Sequence, residues 1–277
     1  MAVQTKPAAE KPHEVFDLDA GWKLLQEYSR IPVQDMYNHA ENIMEKALQV
    51  APYPCIRRFR FLDLVMVTTD VYPLIIKRLK QGETFLDLAC CLGQEIRQLV
   101  HDGAPSENTY GSDLYDGFFP LSYELFQDKS SLKTTFVAAD IFDDASPLMG
   151  LAGKMNIIYV GDFFHLFNLE DQEKIAERIV QLLVAMPGSL VVGRHSGDGI
   201  AGEYSRVRDG SGRKHFQHNP HSWKELWDRV GERTGSSWLV NVELVTEFKF
   251  RSVDEEVSNE FQRLQGAKGL MYTIERR

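Results

Sequence analysis

Apolar positions along the 277-residue chain follow two rhythms, and the change between them falls near residue 81. Before that point apolar residues recur at helical spacing. Val15 to Arg30 carries Phe16, Leu18, Trp22, Leu25 and Tyr28 in one stripe, and the stripe stops at Pro32. Asp35 to Val50 follows, with Met36, Ala40, Ile43, Met44, Ala47 and Leu48 on one face and Asp35 in the capping position. Beyond Pro52 and Pro54, Ile56 to Lys80 supplies more apolar helical material, with a break expected at Pro73. The pattern predicts a helical cap over residues 14–80. The Pro-, Ala-, Lys- and Glu-rich residues 1–13 read as a disordered tail.

After residue 81 short apolar runs alternate with helical segments. Phe85–Ala89, Thr109–Ser112, Thr134–Ala138, Asn156–Val160 and Leu190–Arg194 read as buried strands. Between them lie Gln94–His101, Phe118–Phe126, a short Ser146–Leu151 segment and Leu169–Met186, which Pro187-Gly188 stops. Such alternation implies a parallel sheet with right-handed crossovers. Ser196 to Pro220, rich in Gly, Asp and His, reads as a long functional loop. Ser222–Arg233 is helical, and Trp238–Phe248 and Leu270–Glu275 read as two late strands joined by a charged, partly helical segment. The expected fold is α/β: a Rossmann-like, seven-stranded, mostly parallel sheet with helices on both faces and a reversed last strand. Residues 81–277 would form this domain behind the cap.

Bulk properties narrow the partners. A hydrophobic content of 43% with 26% charged residues is that of a globular protein. The net charge of −9 argues against a nucleic-acid partner. The basic runs Arg57, Arg58, Arg60 and Lys77, Arg78, Lys80 read as solvated helix faces. Three cysteines, with Cys90 and Cys91 adjacent, supply no disulfide framework. The opening residues lack the apolar core of a signal peptide, and no apolar run approaches the roughly 18 residues that span a bilayer. The expectation is a cytoplasmic protein without a membrane span. His215, His218 and His221 invite a metal reading, but Pro220 interrupts them and no acid or Cys stands at ligand spacing, so none is expected. A lid in which these histidines and Arg206, Arg208 and Arg213 meet an acidic substrate fits better.

The chemistry gathers where strands end. Phe85–Ala89 runs into small residues and Gly93, then into a helix, a turn that lets a ligand approach the backbone closely. Asp87, Asp113, Asp140 and Asp162 recur at intervals of about one βα unit each, and ligands of open α/β sheets bind outside the carboxyl ends of strands. Each acid has a use for an adenosyl cofactor. Asp113, with Leu114 beside it, can accept both ribose hydroxyls. Asp140 can accept from the adenine amino group, with Ile141 and Phe142 against the ring. A cationic sulfonium and amino group would favour this acidic edge.

Asp87-Leu-Ala89-Cys-Cys91-Leu-Gly93 resembles the first motif, D/E-x-G-x-G-x-G, of class I S-adenosylmethionine-dependent methyltransferases. Asp113, Asp140-Ile141 and the segment Gly161-Asp162-Phe163-Phe164-His165-Leu166 resemble that superfamily's later motifs. Ala89 and Cys91 stand where two of the three glycines belong. The G-x-G-x-x-G spacing of nicotinamide enzymes is absent. The resemblance implies S-adenosyl-L-methionine as cofactor, bound by Asp87, Ala89, Cys91, Gly93, Asp113, Leu114, Asp140, Ile141 and Asp162.

The segment Tyr53-Pro-Cys-Ile-Arg-Arg-Phe-Arg-Phe-Leu62, with the Ala-Cys-Cys-Leu-Gly turn and Gly-Asp-Phe-Phe-His-Leu-Phe, is similar to fungal methyltransferases of meroterpenoid biosynthesis, those of the austinol, andrastin and terretonin pathways. That similarity implies methyl esterification of a carboxyl group on a farnesylated aromatic polyketide acid, and a homodimer.

Methyl transfer is an in-line displacement in which the protein chiefly orients the reactants and excludes water. A carboxylate acceptor is already ionised at neutral pH, whereas a phenol gains from a general base, most often His. His165, just after the fourth strand, and His195, after the fifth, are the catalytic candidates. Phe163 and Phe164 are expected to wall a hydrophobic small-molecule acceptor. Two alternatives stay open: a methyltransferase fold without transfer activity, serving as an isomerase, cyclase or partner subunit, and a protein methyltransferase.

Overall fold

The computed structural model describes residues 19–205, 214–245 and 268–277. The expected tail at 1–13, Arg206, Arg208 and Arg213, and the charged segment before the last strand lie outside the described residues.

The first helices are α1 (Asp19–Glu27) and α2 (Val33–Val50). Pro32, not Asp35, is the residue that precedes α2, and no side chain caps it. The expected helical stretch 56–80 is divided: α3 (Pro54–Arg57), tight turns at Arg60–Leu62 and Met66–Thr68, then α4 (Tyr72–Lys80). Phe59 causes the first break, because its backbone is left-handed at φ 57°. Pro73 begins α4 rather than breaking it, as its missing N–H costs nothing in a first turn.

The strands are β1 (Phe85–Leu88), β2 (Thr109–Asp113), β3 (Thr135–Ala138), β4 (Ile157–Gly161) and β5 (Leu190–Gly197), with α5 (Gln94–His101), α6 (Phe118–Phe126) and α7 (Leu169–Leu182) between them. A hairpin of β6 (Gly202–Ser205) and β7 (Lys214–Gln217), then α8 (Pro220–Thr234), β8 (Trp238–Val245) and β9 (Lys268–Arg276) complete the order. The main sheet runs β3-β2-β1-β4-β5-β9-β8. Its first five strands pair in parallel, and β9 is antiparallel to both β5 and β8.

Three boundaries correct the sequence reading. Strand β5 runs three residues beyond Arg194, because β9 continues the ladder: His195 lies opposite Leu270 and Gly197 opposite Lys268. His195 therefore sits inside the strand. Helix α7 ends at Leu182, four residues early, since Leu183 turns extended and bridges Met155. The expected loop 196–220 contains the β6–β7 hairpin.

Apolar packing explains the layering. One face of the sheet packs under α7 and α8, with Leu86, Val160, Val191, Trp223 and Trp227 buried there. The opposite face buries Phe85, Ile157 and Val192 against Ile75, Leu79, Ile96 and Leu99 of α4 and α5. A separate cluster joins Leu25, Ala40, Ile43 and Phe61 of the leading helices to Leu92, Phe118 and Leu125. The leading segment thus packs on the turn after β1 and on α6. Among the described residues no helix is long and apolar enough to cross a membrane.

Candidate functional site

The site grows from the turn that follows β1. Ala89, Cys91 and Gly93, the three motif positions, all have left-handed backbones, at φ 62°, 48° and 65°. Two side-chain-bearing residues therefore hold a shape that glycine adopts freely, at about 1–2 kcal/mol each. The strain persists because neighbours clamp the turn. The Asp113 carboxylate accepts the Cys91 N–H at 2.8 Å. Cys90 N donates to Ser112 O at 2.9 Å and Gly93 N to Cys90 O at 2.7 Å.

Arg97 props the same turn from below. Its Nη1 lies 3.4 Å from both the Leu92 and the Gly93 carbonyl oxygens. Its Nε donates to Asp128 Oδ2 at 2.9 Å and Nη2 to Ser122 Oγ at 3.2 Å, and Tyr28 O–H donates to the same Asp128 at 2.9 Å. A Cβ on Gly93 would stand 2.7 Å from Arg97 Nη1, so glycine here both relieves the left-handed backbone and leaves room for the guanidinium.

Two carboxyl groups lie beneath the turn. Asp87 is 3% exposed, and burial, with Glu95 and Asp113 adding, pushes its carboxyl well above the usual range against the pull of Arg97. Glu95 is pushed up to about 7 by burial, although its Oε1 accepts the Val65 and Met66 N–H groups at 2.8 and 3.0 Å. Burial also raises Asp113, which the backbone N–H groups of Cys91, Tyr115 and Leu114 oppose.

The carboxyl ends of β2 and β3 carry the acceptors and apolar faces expected there. Asp113 Oδ1 lies 3.3 Å from Tyr115 N, and Asp140 Oδ1 accepts from Phe142 N at 2.9 Å. Both carboxylates retain lone pairs for a ligand. Leu114 is 53% exposed, Tyr115 39% and Phe142 40%. Such large apolar side chains left open beside the acids suit an adenine ring. Ile141 is 7% exposed and packs into the core, so Phe142 is the face on offer. Tyr53, from the segment before α3, places its ring 6.3 Å from that of Tyr115.

Beyond β4 the arrangement is ionic. Asp162, left-handed at φ 50°, donates its N–H to Arg194 O at 2.7 Å. Its Oδ2 accepts from Arg60 Nη2 at 3.1 Å and Arg194 Nη2 at 3.0 Å. The same two nitrogens reach Asp63 Oδ2, at 2.9 and 2.5 Å. Desolvation opposes charge on Asp162, but Arg194 and Arg60 outweigh it and hold the carboxyl below the ordinary range. Arg60 is thus not the solvated side chain the sequence suggests. Sequence reading also missed Asp63, Arg194, Glu95 and Arg97, each of which has a partner 29 to 131 residues away along the chain.

The four candidates around the acceptor separate into two pairs. Phe163 and His165 are half-buried at the edge, and Phe163 stacks edge-on against Phe167 at 4.9 Å, which meets Phe142 at 5.4 Å. Phe164 is fully buried against Trp223 at 5.0 Å, so it has no open face to wall a pocket. His195 is 1% exposed, 4.6 Å from Trp223 and 5.4 Å from Tyr272. Burial, with His218 and His165 adding, drives its pKa well down, so it stands neutral. Burial drives His218 down to about 3, and its Nδ1 lies 2.9 Å from Ser222 Oγ. His221 faces Glu225, and no group of three or more metal-ligating side chains occurs among the described residues.

The strand order, with the reversed strand between β5 and β8, and the left-handed turn over acid-lined strand ends are what the motif resemblance implies, a methyltransferase fold. Comparison with known proteins narrows the class. The profile of the meroterpenoid methyltransferase N-terminal domain matches residues 15–62. The chain is 43% identical to the O-methyltransferase phiE of Fungal sp. (strain ATCC 74256), across 79% of this chain and 73% of that protein. It is 43% identical to the Asnovolin E/Chermesin D methyltransferase nvfJ of Aspergillus novofumigatus, across 79% and 78%. It is 41% identical to the O-methyltransferase atr3 of Stereocaulon alpinum, across 84% and 67%. The chain belongs to this family of fungal methyltransferases. These relatives do not favour the reading as a fold without transfer activity.

Proposed function

We propose that this O-methyltransferase esterifies a carboxyl group on a prenylated aromatic polyketide, a hydrophobic small molecule of meroterpenoid metabolism, and that it does so as a cytoplasmic homodimer. One observation carries the reading: open apolar side chains (Tyr53, Leu114, Tyr115, Phe142, Leu166) sit around the acid-lined strand ends. The similarity to nvfJ and the matched meroterpenoid methyltransferase domain point the same way. The net charge of −9 disfavours nucleic-acid acceptors.

The donor, when bound, supplies a methyl group on a cationic sulfur. Asp113 would take the ribose hydroxyls, with Leu114 and Phe142 enclosing the base and Asp140 accepting from its amino group. Ala89, Cys91 and Gly93 would floor the methionine portion, and Asp87 would act on its positive charge from below. Asp162, its Oδ2 held by two arginines, would present its other oxygen to the edge. A carboxylate acceptor is ionised near neutral pH, so the chain needs no base. His165 would orient it by a hydrogen bond while Phe163 covers its apolar body. His195, enclosed in β5, would act only through its neighbours. Residues 14–80 would serve as the cap and 81–277 as the catalytic domain.

The test uses the full chain, a deuteriomethyl-labelled donor and a farnesylated dihydroxybenzoic acid, with product mass followed before and after mild alkali. A labelled product whose methyl is lost in alkali is the expected ester. An alkali-stable methyl would identify a phenol ether and overturn the carboxyl assignment.

A further inference from the structure

The segment between α2 and α4 crosses the open sheet edge as a strap. Its backbone is backed so closely by α1 that a Cβ on Gly21 would lie 2.0 Å from Leu62 O. The ionic quartet is where this strap meets the sheet. Arg60 and Asp63 come from the strap, Asp162 from the end of β4, and Arg194 from β5. Arg60, Asp63 and Arg194 have side chains 10–18% exposed, whereas that of Asp162 is 41% exposed, so it is the member that faces the edge.

One strained residue adjoins the quartet and another belongs to it. Phe59, next to Arg60, and Asp162 are both left-handed, at φ 57° and 50°. Neither conformation holds without surroundings that over-determine it. Asp162 is clamped at its backbone by Arg194 O and at its carboxylate by both guanidiniums. The tight turn Phe164–Leu166 follows two residues later; it contains His165 and is preceded by Phe163. Buried ion pairs are weak contributors to net stability, and in some proteins they serve to select one geometry. The cost of this quartet is therefore explained by position.

We propose that Arg60 and Asp63 are positioning residues for methyl transfer: through Asp162 and Arg194 they fix the 162–167 segment, so that strap and sheet assemble the acceptor side jointly. The donor turn at 89–93 takes its own side-chain hydrogen bonds from a different set, Asp113 and Arg97. The proposal rests on reading this edge as the site of methyl transfer. It moves Asp162 from direct donor contact to the keystone of the acceptor loop.

Full-length wild type, Arg60→Ala and Asp63→Asn decide it by three measurements. Hydrogen exchange at 163–167 should quicken about tenfold in both variants while 89–93 stays unchanged. Affinity for S-adenosylhomocysteine by titration calorimetry should stay within about twofold, while kcat/KM for the farnesylated dihydroxybenzoic acid falls about tenfold or more. Methylguanidine at sub-denaturing concentration should restore part of the turnover of Arg60→Ala and none of that of Asp63→Asn. Unchanged exchange at 163–167 overturns the proposal, as does equal quickening at both segments or a parallel loss of donor affinity. If wild type leaves this acceptor untouched, the esterification reading falls, and the exchange and donor-affinity results still decide the role of Arg60.

Discussion

Two turns share the carboxyl edge of the sheet, and they are held by opposite means. The turn after β1 is fastened from within: carbonyl and carboxylate oxygens grip backbone N–H groups, and Arg97 supports it from a buried pair with Asp128. The turn after β4 is fastened at its side chain, by two guanidiniums that meet Asp162, Arg60 from the strap and Arg194 from β5. Both contain side-chain-bearing residues in left-handed backbone. The difference teaches that strain alone does not say how a site is controlled. What clamps the strain decides whether a turn is fixed with the core or depends on a second segment.

The strongest blow to the internal clamp is Arg97→Met. It leaves Asp128 buried without its ion-pair partner and should cost about 3–5 kcal/mol, read by chemical denaturation, with donor affinity lost in the variant that still folds. Retained donor affinity there would show that the turn holds its shape without the prop.

Next comes Glu95→Gln, which tests the carboxyl that ties α5 to the strap at Val65 and Met66. A carboxyl raised to about 7 in the folded chain binds more protons folded than unfolded between its ordinary value and 7. Its contribution is present at low pH and is lost as pH rises to 7, by about 3 kcal/mol. His195 and His218, depressed by burial, slope the opposite way below their ordinary value near 6.5. Measured as a difference from wild type, Glu95→Gln should gain stability from pH 5 to 8. A flat difference would show that Glu95 titrates normally.

Glycine at Cys91 relieves the strain that the clamp holds. Cys91→Gly should stabilise by about 1 kcal/mol by thermal melting and leave donor affinity intact. In the Arg97→Met background its gain should be larger, because the two act on one turn. The smallest effect is ionic strength. Raising salt should lower acceptor kcat/KM by about threefold or less, through the partly exposed Asp162, while donor affinity by calorimetry barely moves.

Much of the edge could be read along the chain. Asp113 ends its strand, Asp140 follows its own, and the motif positions 89, 91 and 93 share one backbone shape. Short apolar runs bounded by small or turn residues mark the strands, and that signal is local. What supports the turn is not local: Arg97 is four residues from Gly93, but Asp128 is 31 residues further on. The quartet joins Asp63 to Arg194 across 131 residues, and no pattern announces it. Phe163 and Phe164 are neighbours with opposite fates, because a tight turn gives no period from which to tell edge from core. The β6–β7 strands are four residues each and lie among Gly and Asp, too short for alternation to register.

Gly193 is open just enough for the Tyr272 hydroxyl to reach past it and donate to Val160 O at 2.9 Å. Strand β9, which carries that tyrosine, comes after β8 along the chain yet lies between β5 and β8. During synthesis β8 is made first and has no place in the sheet until β9 emerges. Meanwhile the edge of β5, with Arg194 and His195 on it, stands open as a template for stray strands. The strand that carries Arg194 is therefore exposed to mispairing until β9 inserts beside it.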